Sequence, residues 1–476
     1  MLRKFINPIL VIPLCFYINS HKSLLSETKD NIEESLKEKE DIIFIDYENI
    51  DKILLINNYE LKSLKQLVKS SKFNLSSKIA KRYPTLDLQA NGLPKYVAGK
   101  NYNSNTLTTQ TSQFSVNPSL NIRWDLFDPL RGSEINIAKY NYEISKNNYE
   151  IKRKDLIQEA KSRYHKFQKS YRDIENKKIS LSSSLISLND AESKFDVGIG
   201  TKFEILEAEA QLARDRQLLN EYKIKHQINK ISLKEILNLK GNFTIKEDQK
   251  LIGFWDHKLQ KNINESLVNN LSLKNINLKK SIKQKQANNY LNTKKPNIYI
   301  SNTLTSSFSK GDSISVSIDS EESGSSYTNT VSLNLTWNIL DGGRNNNLNK
   351  SIKADAKSEE YTYNNLKNVL TTNIRKAYLT LQLNKEKILS SLTEISSTKE
   401  SLRLARLRYD VGISTLKDVL VRQKEFSNAN SKNIDAIYNY NLNLDELERL
   451  TFLEISNICN ENHSFIKNGI QSICNI

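Results

Sequence analysis

A chain of 476 residues with only 13 Gly and 7 Pro has too few turn formers for a fold of many short elements, so long helices are expected. Hydrophobic residues make up 38% and the mean hydropathy is −0.56, which excludes a bundle of membrane-spanning helices; past the N-terminus there is no run of ~18 apolar residues. The formal net charge of +16 invites a nucleic-acid partner, but the lysines are spread among Asn, Ser and Glu on presumed helical faces and no recognition motif is present, so solvated surface is expected and no nucleic acid.

Residues 1–20 read as a signal peptide: Arg3 and Lys4 are basic, Phe5 to Ile18 is mostly apolar, and Asn19-Ser20 begins a polar flank. Cys15 is a poor lipid-attachment site, because Ile12-Pro13-Leu14 lacks the small residue such processing prefers. Residues 21–46 form a polar linker, expected to be partly disordered. Residues 454–476 form a tail in which Cys459 and Cys474 either pair, in an oxidising compartment, or stay as free thiols.

Between linker and tail the chain reads as two repeats, 47–250 and 251–453, related by about 213 residues. Asn57-Asn58 returns as Asn269-Asn270 and Pro84 as Pro296. Trp124, Asp128 and Arg131 return as Trp337, Asp341 and Arg344, and Phe195-Asp196-Val197-Gly198-Ile199 returns as Tyr409-Asp410-Val411-Gly412-Ile413. Each half predicts helix, strand, strand, helix, helix. The leading helices are expected at 50–80 and 265–292. Strands come next at 85–90 and 119–126, then at 298–304 and 331–339, with apolar residues at alternate positions. The Ser/Thr/Asn-rich segments 91–113 and 306–329 between them read as exposed loops.

Each strand pair is followed by a proline-free stretch, 132–196 and 344–410, that predicts a helix of roughly 100 Å. Ile374, Leu381, Ile388, Ile395, Leu402 and Tyr409 recur with the seven-residue spacing of a coiled coil, as do Ala160, Phe167, Ile174, Leu181, Leu188 and Phe195. The neighbouring positions Ala377, Asn384, Ser391, Thr398 and Ala405 are small or polar, which suits a wall of helices with neighbours on both sides. Val197-Gly198-Ile199-Gly200 and Val411-Gly412-Ile413-Ser414 predict reversals, with return helices starting near Phe203 and Leu416.

Alternating strands close to the ~9–11 residues of a transmembrane strand suit a barrel that is apolar outside and polar inside. Four strands cannot close around a lumen, and open edges are forbidden in lipid. The chain must then oligomerise, and three copies give about twelve strands.

The Tyr83-Pro84-Thr85-Leu86 run, the run from Trp337 to Arg344 and the Tyr409-Asp410-Val411-Gly412 run with Asp418-Val419-Leu420 carry a resemblance. Over residues 50–453 the chain resembles the TolC family of outer membrane efflux proteins. The resemblance implies an α+β membrane protein: a homotrimer with a 12-stranded transmembrane β-barrel, four strands per chain, continued by a long α-helical coiled-coil barrel in the periplasm. It implies an outer membrane channel of a tripartite efflux or type I secretion system, working with a periplasmic adaptor protein and an inner-membrane pump to export drugs, proteins or other solutes. It further implies a periplasmic constriction at Tyr409, Glu204 and Asp418, and adaptor docking at the tip turns Val197, Gly198, Ile199, Val411, Gly412 and Ile413. Ser414 stands where the family has a closing arginine, and Val421, beside Arg422, where it has a second ring aspartate, so a more weakly closed and less cation-selective pore is expected. Read from the residues alone, Glu204 and Asp418 are first-turn carboxylates favoured by the helix dipole, and Tyr409 continues a heptad core.

His21, His165, His226, His257 and His463 lack ligand spacing, and neither a phosphate-binding loop nor a nucleophile elbow is present. No catalytic residue, cofactor or metal is expected. The rival reading is a periplasmic coiled-coil adaptor or structural protein without a pore, for which the paired amphipathic strands have no use.

Overall fold

The computed structural model describes residues 43–103, 106–245, 251–314 and 322–455. The expected signal peptide and all three cysteines lie outside the described residues. No helix among the described residues is long and apolar enough to cross a membrane.

The chain divides into two units. Described in the small one are residues 43–44 and 240–244, which include most of two short paired strands, β1 (Ile43–Ile45) and β4 (Phe243–Ile245); Ile45 and Ile245 are counted with the large unit. The large unit holds everything else. In chain order it contains α1 (Ile50–Asn57), α2 (Tyr59–Ala80), β2 (Thr85–Asn103), β3 (Thr106–Phe127), α3 (Arg131–Asp196) and α4 (Lys202–Leu237). Then come α5 (Leu259–Asn269), α6 (Leu271–Asn292), β5 (Asn297–Ile314), β6 (Glu322–Thr336), α7 (Arg344–Asp410) and α8 (Leu416–Thr451).

The expected leading helices are each broken, at Asn58 and Asn270, where the backbone turns extended. Each asparagine caps the helix on its C-terminal side. Asn58 Oδ1 accepts from Leu61 N–H at 3.0 Å, and Asn270 Oδ1 accepts from Ser272 and Leu273 N–H at 2.9 and 3.1 Å. A helical pattern read straight through these positions overlooks that Asn competes with the helix for its own backbone donors.

Strands β2, β3, β5 and β6 form one antiparallel sheet in that order. They run 15–22 residues, well beyond the expected lengths. Much of the polar sequence read as loop is therefore strand: Ser, Thr and Asn pair through their backbones as readily as Leu does, so polarity hid the ladder. Conversely, β6 ends at Thr336, and Trp337 to Ile339 lie beyond it. The register aligns Leu86, Ile122, Asn302 and Val331 across all four strands, and Leu88, Leu120 and Leu304 beside them. Trp124, Ile300 and Leu333 share that face, so it is apolar and largely open to solvent in the single chain. Farther along it stand Tyr96, Phe114, Phe308 and Tyr327, with the Tyr96 and Phe114 rings 4.8 Å apart. The opposite face carries Thr, Ser, Asn and Gln, with Arg123 bonded to Asp125 at 2.9 Å and stacked 3.7 Å over Tyr299.

The sheet is tied to the helices in the same way twice. Trp124 Nε1 donates to the Arg82 carbonyl at 3.1 Å, and Trp337 Nε1 to the Lys294 carbonyl at 2.7 Å. Asp128 Oδ1 accepts from Leu130 N–H, and Asp341 accepts from Gly343 and Asn345 N–H, opening α3 and α7.

Helix α3 packs along α4, α7 along α8, and α3 also meets α8. The heptad positions Ile374, Leu381, Ile388, Leu402 and Tyr409 are buried, whereas Ile395 is half-buried. On α3, Ala160, Phe167 and Ile174 are buried, but Phe195 is exposed, unlike its counterpart Tyr409. The α3–α4–α8 seam is unusually polar. Asn176 Nδ2 donates to the Ser427 carbonyl and to Ser431 Oγ, and Ser180 Oγ donates to Ser427 Oγ at 2.9 Å. Gln423 Nε2 donates to Ser184 Oγ at 2.8 Å and to the Ser180 carbonyl at 3.0 Å, while Ser184 Oγ donates to buried Asp215. A second buried cluster joins Tyr47, whose hydroxyl donates to Asp445, to His165, 3.2 Å from the same carboxylate.

Candidate functional site at the helix tips

The two long hairpins turn by one chemistry. Gly198 and Gly412 adopt φ of 79° and 81°, a left-handed backbone that side chains with Cβ avoid. In the first turn the N–H groups of Ile199 and Gly200 both bond the Lys194 carbonyl, at 3.0 and 2.9 Å; in the second those of Ile413 and Ser414 bond the Arg408 carbonyl. A Cβ on Gly200 would lie 2.8 Å from the Phe195 nitrogen, so the first turn also needs glycine for close approach.

Side chains of all four helices then meet in one apolar cluster: Ala191 of α3, Ile205 and Ala208 of α4, Leu402 and Tyr409 of α7, and Leu416 and Val419 of α8. Outside it, Val197, Ile199, Val411 and Ile413 are 69–75% exposed, an apolar rim at the turns.

Of the residues marked in the sequence, Tyr409 is buried in that cluster, and its hydroxyl has no hydrogen-bond partner among the described residues. Burial pushes its pKa up to about 12, assisted by the negative charges of Glu204, Asp190 and Asp410. Glu204 lies within electrostatic reach but spends its carboxylate locally, accepting from Thr201 N–H at 3.2 Å in a capping box that starts α4. Asp418 is exposed and stands apart. Ser414 Oγ donates to it at 2.7 Å, and this bond, with the Thr415 backbone, holds its carboxyl below the ordinary aspartate value. Ser414, read as a missing arginine, thus bonds the first-turn carboxylate of α8.

Residues that the sequence reading passed over complete the charge pattern. Lys194 of α3 reaches α7: its ammonium lies 3.5 Å from the centre of the Tyr409 ring and donates to the Tyr409 carbonyl. Asp190, one turn back, has its carboxyl pKa raised by burial and by Asp410, with Arg406 and Lys194 opposing. The sequence signal was there: Asp190 with Lys194, and Arg406 with Asp410, are opposite charges at helical i, i+4 spacing at the ends of the two long helices.

Among the described residues no group of three or more His, Cys, Asp or Glu side chains could hold a metal ion. His165 Nε2 lies 3.2 Å from the Asp445 carboxylate, His226 stacks on Phe167 and bonds Ser170, and His257 meets the edge of Trp255. His21 and His463 lie outside the described residues.

The sequence matches the family model for outer membrane efflux proteins over residues 52–239 and 262–451. Among curated proteins no sequence matches it. In structure it is similar to the Campylobacter jejuni CmeC outer membrane channel, at 17% identity and a TM-score of 0.69, over 93% of this chain and 94% of that one. It is also similar to the outer membrane protein VceC from Vibrio cholerae, at 15% identity and a TM-score of 0.70, over 85% and 96%. A third similar structure is the open state of the Neisseria gonorrhoeae MtrE outer membrane channel, at 15% identity and a TM-score of 0.61, over 85% and 88%. At such low identity these likenesses speak for the fold.

Proposed function

The chain belongs to the outer membrane efflux protein family, and from that premise we propose that it is one third of a trimeric export duct serving a tripartite efflux or type I secretion system. The family is one of efflux channels, not enzymes. The finer reading adds a 12-stranded barrel in the outer membrane, a helical tunnel in the periplasm, and export of solutes or proteins through both.

One observation carries this reading: a four-stranded sheet with a shared apolar face and an unpartnered edge on each of β2 and β6 among the described residues. Lipid tolerates the face but not the edges, so β6 of one copy must pair with β2 of the next until the ring closes. The aromatic residues support a span. Trp124 and Phe114 are about ten residues apart on β3, ~33 Å along the strand and ~25 Å along the membrane normal at a ~40° tilt, close to the height of an outer-membrane apolar band. An adaptor or structural protein has no use for such a sheet.

The matching lengths of α2 and α6 (22 residues each) and of α4 and α8 (36 each) support the division into repeats 47–250 and 251–453. At the turns, the apolar rim of Val197, Ile199, Val411 and Ile413, set by Gly198 and Gly412, suits docking to a periplasmic adaptor that passes substrate from an inner-membrane pump. Tyr409, Glu204 and Asp418 are read as the constriction. The test is planar-bilayer conductance of the purified protein with its mass in detergent. Trimers with steady channels are expected; a monomer without conductance would overturn the barrel and favour the adaptor.

A further inference from the structure

Building on the duct reading, we propose that Lys194 is the clasp joining the two hairpin tips of each chain, and that it grips the ring face and main-chain carbonyl of Tyr409 rather than its hydroxyl. Among the described residues of the chain the Tyr409 hydroxyl bonds no group of the other hairpin, so it does not supply the link between the tips. The ammonium instead sits 3.5 Å above the ring centre, well inside the ~6 Å reach of a cation–π contact, on a ring that is buried and so little screened.

The same ammonium donates to the Tyr409 carbonyl. That carbonyl lies in the last turn of α7, where unpaired carbonyls give the helix end its partial negative charge, and it shares its lone pairs with Gly412 N–H at 3.1 Å. Lys194 is itself held from behind, since its own carbonyl carries the Ile199 and Gly200 N–H groups of the first turn. The grip runs one way. The counterparts of Lys194 and Tyr409 in the other hairpin, Arg408 and Phe195, are both exposed. The clasp also balances charge: Lys194 and Arg406 are the cations that act on Asp190 against Asp410, so losing Lys194 leaves more of the repulsion among the carboxylates of Asp190, Glu204 and Asp410 around Tyr409 uncompensated and favours parting of the tips.

The experiment is single-channel recording on purified trimers of Lys194→Met, Lys194→Gln, Lys194→Arg and Tyr409→Leu, with hydrogen exchange across residues 188–200 and 402–414. Methionine keeps the apolar stem, glutamine keeps a donor, and arginine restores both the stacking cation and the donor. Lys194→Met and Lys194→Gln are expected to raise the open-to-closed ratio about tenfold or more and to speed exchange at both tips, with Lys194→Arg returning both readouts most of the way. Tyr409→Leu, which removes the ring but keeps the carbonyl, opens the channel to an intermediate degree. If Tyr409→Leu opens the channel while both neutral Lys194 variants match wild type, the tip gate stands and the clasp is refuted. If no variant changes conductance or exchange, the tips are not a gate, and the clasp falls with that reading.

Discussion

Asn58→Ala should loosen the start of α2 far more than Asn270→Ala loosens the start of α6, although both remove a helix cap. Loss of either cap costs about 1 kcal/mol. Asn58 does more: its Nδ2 donates at 3.2 Å to the Ile236 carbonyl, which lies at the end of α4 where intrahelical donors run out. Stranding that buried carbonyl costs a further ~1–3 kcal/mol, so Asn58→Ala should cost ~2–4 kcal/mol in all. Asn270 makes its cap bonds without a second link to a neighbouring helix among the described residues. Hydrogen exchange of the detergent-solubilised protein reads the difference directly. Amide protection just after residue 58 should fall about 30-fold or more, against roughly 5-fold after residue 270, since ~1.4 kcal/mol is a factor of ten. Equal losses at the two sites would show that the bond to α4 contributes nothing and that the capping argument alone suffices.

Other outcomes rest on the same structure. Asp418→Ala should shift the reversal potential towards anions, because it removes an exposed carboxylate from every chain near the proposed constriction; unchanged conductance and selectivity would take Asp418 out of the pore. Brominated lipid should quench Trp124 and Trp337, at the base of the apolar face, but spare Trp255, packed in the helical core; quenching that persists in a Trp124→Phe/Trp337→Phe protein would contradict the proposed span. Ile374→Ala, at a fully buried heptad position, should cost ~2–5 kcal/mol in chemical denaturation, whereas half-buried Ile395→Ala should cost about 1 kcal/mol. Asp190 has a carboxyl pKa above 3.8, so the folded tip holds that proton more tightly than the unfolded chain; tip protection should rise as pH falls through the folded value, with the gain complete below 3.8. Asp190→Asn should show that gain already at neutral pH, and a pH profile identical to wild type would refute the assignment.

The sequence made the long helices readable because their apolar positions keep step with the helical repeat over many turns, as with Ile374, Leu381 and Ile388. It undersold the sheet, because beyond Leu88 and before Ser119 Ser, Thr, Asn and Gln predominate, and apolar residues such as Tyr96 and Phe114 are too sparse to show the alternation until the register brings them together. The paired asparagines at 57–58 and 269–270 were visible as a match but not as caps, since a cap depends on local geometry rather than hydropathy. At the tips the turn glycines were legible. The Lys194 contact was not: it spans 215 residues of sequence, and the partner atoms are a main-chain oxygen and a ring face.

The hydroxyls and amides between α3, α4 and α8 bear on how the hairpins find their alignment. A seam of leucines is nearly indifferent to sliding by one heptad, because each side chain meets another like it. Asn176 with Ser427 and Ser431, Ser180 with Ser427, and Gln423 with Ser184 are specific donors and acceptors, and a shift of one turn would strand several of them at once in a buried place. Two helices of 66 and 36 residues therefore have one register in which every one of these bonds closes, and the tips of the hairpins meet at the same level because the polar seam counts the turns for them.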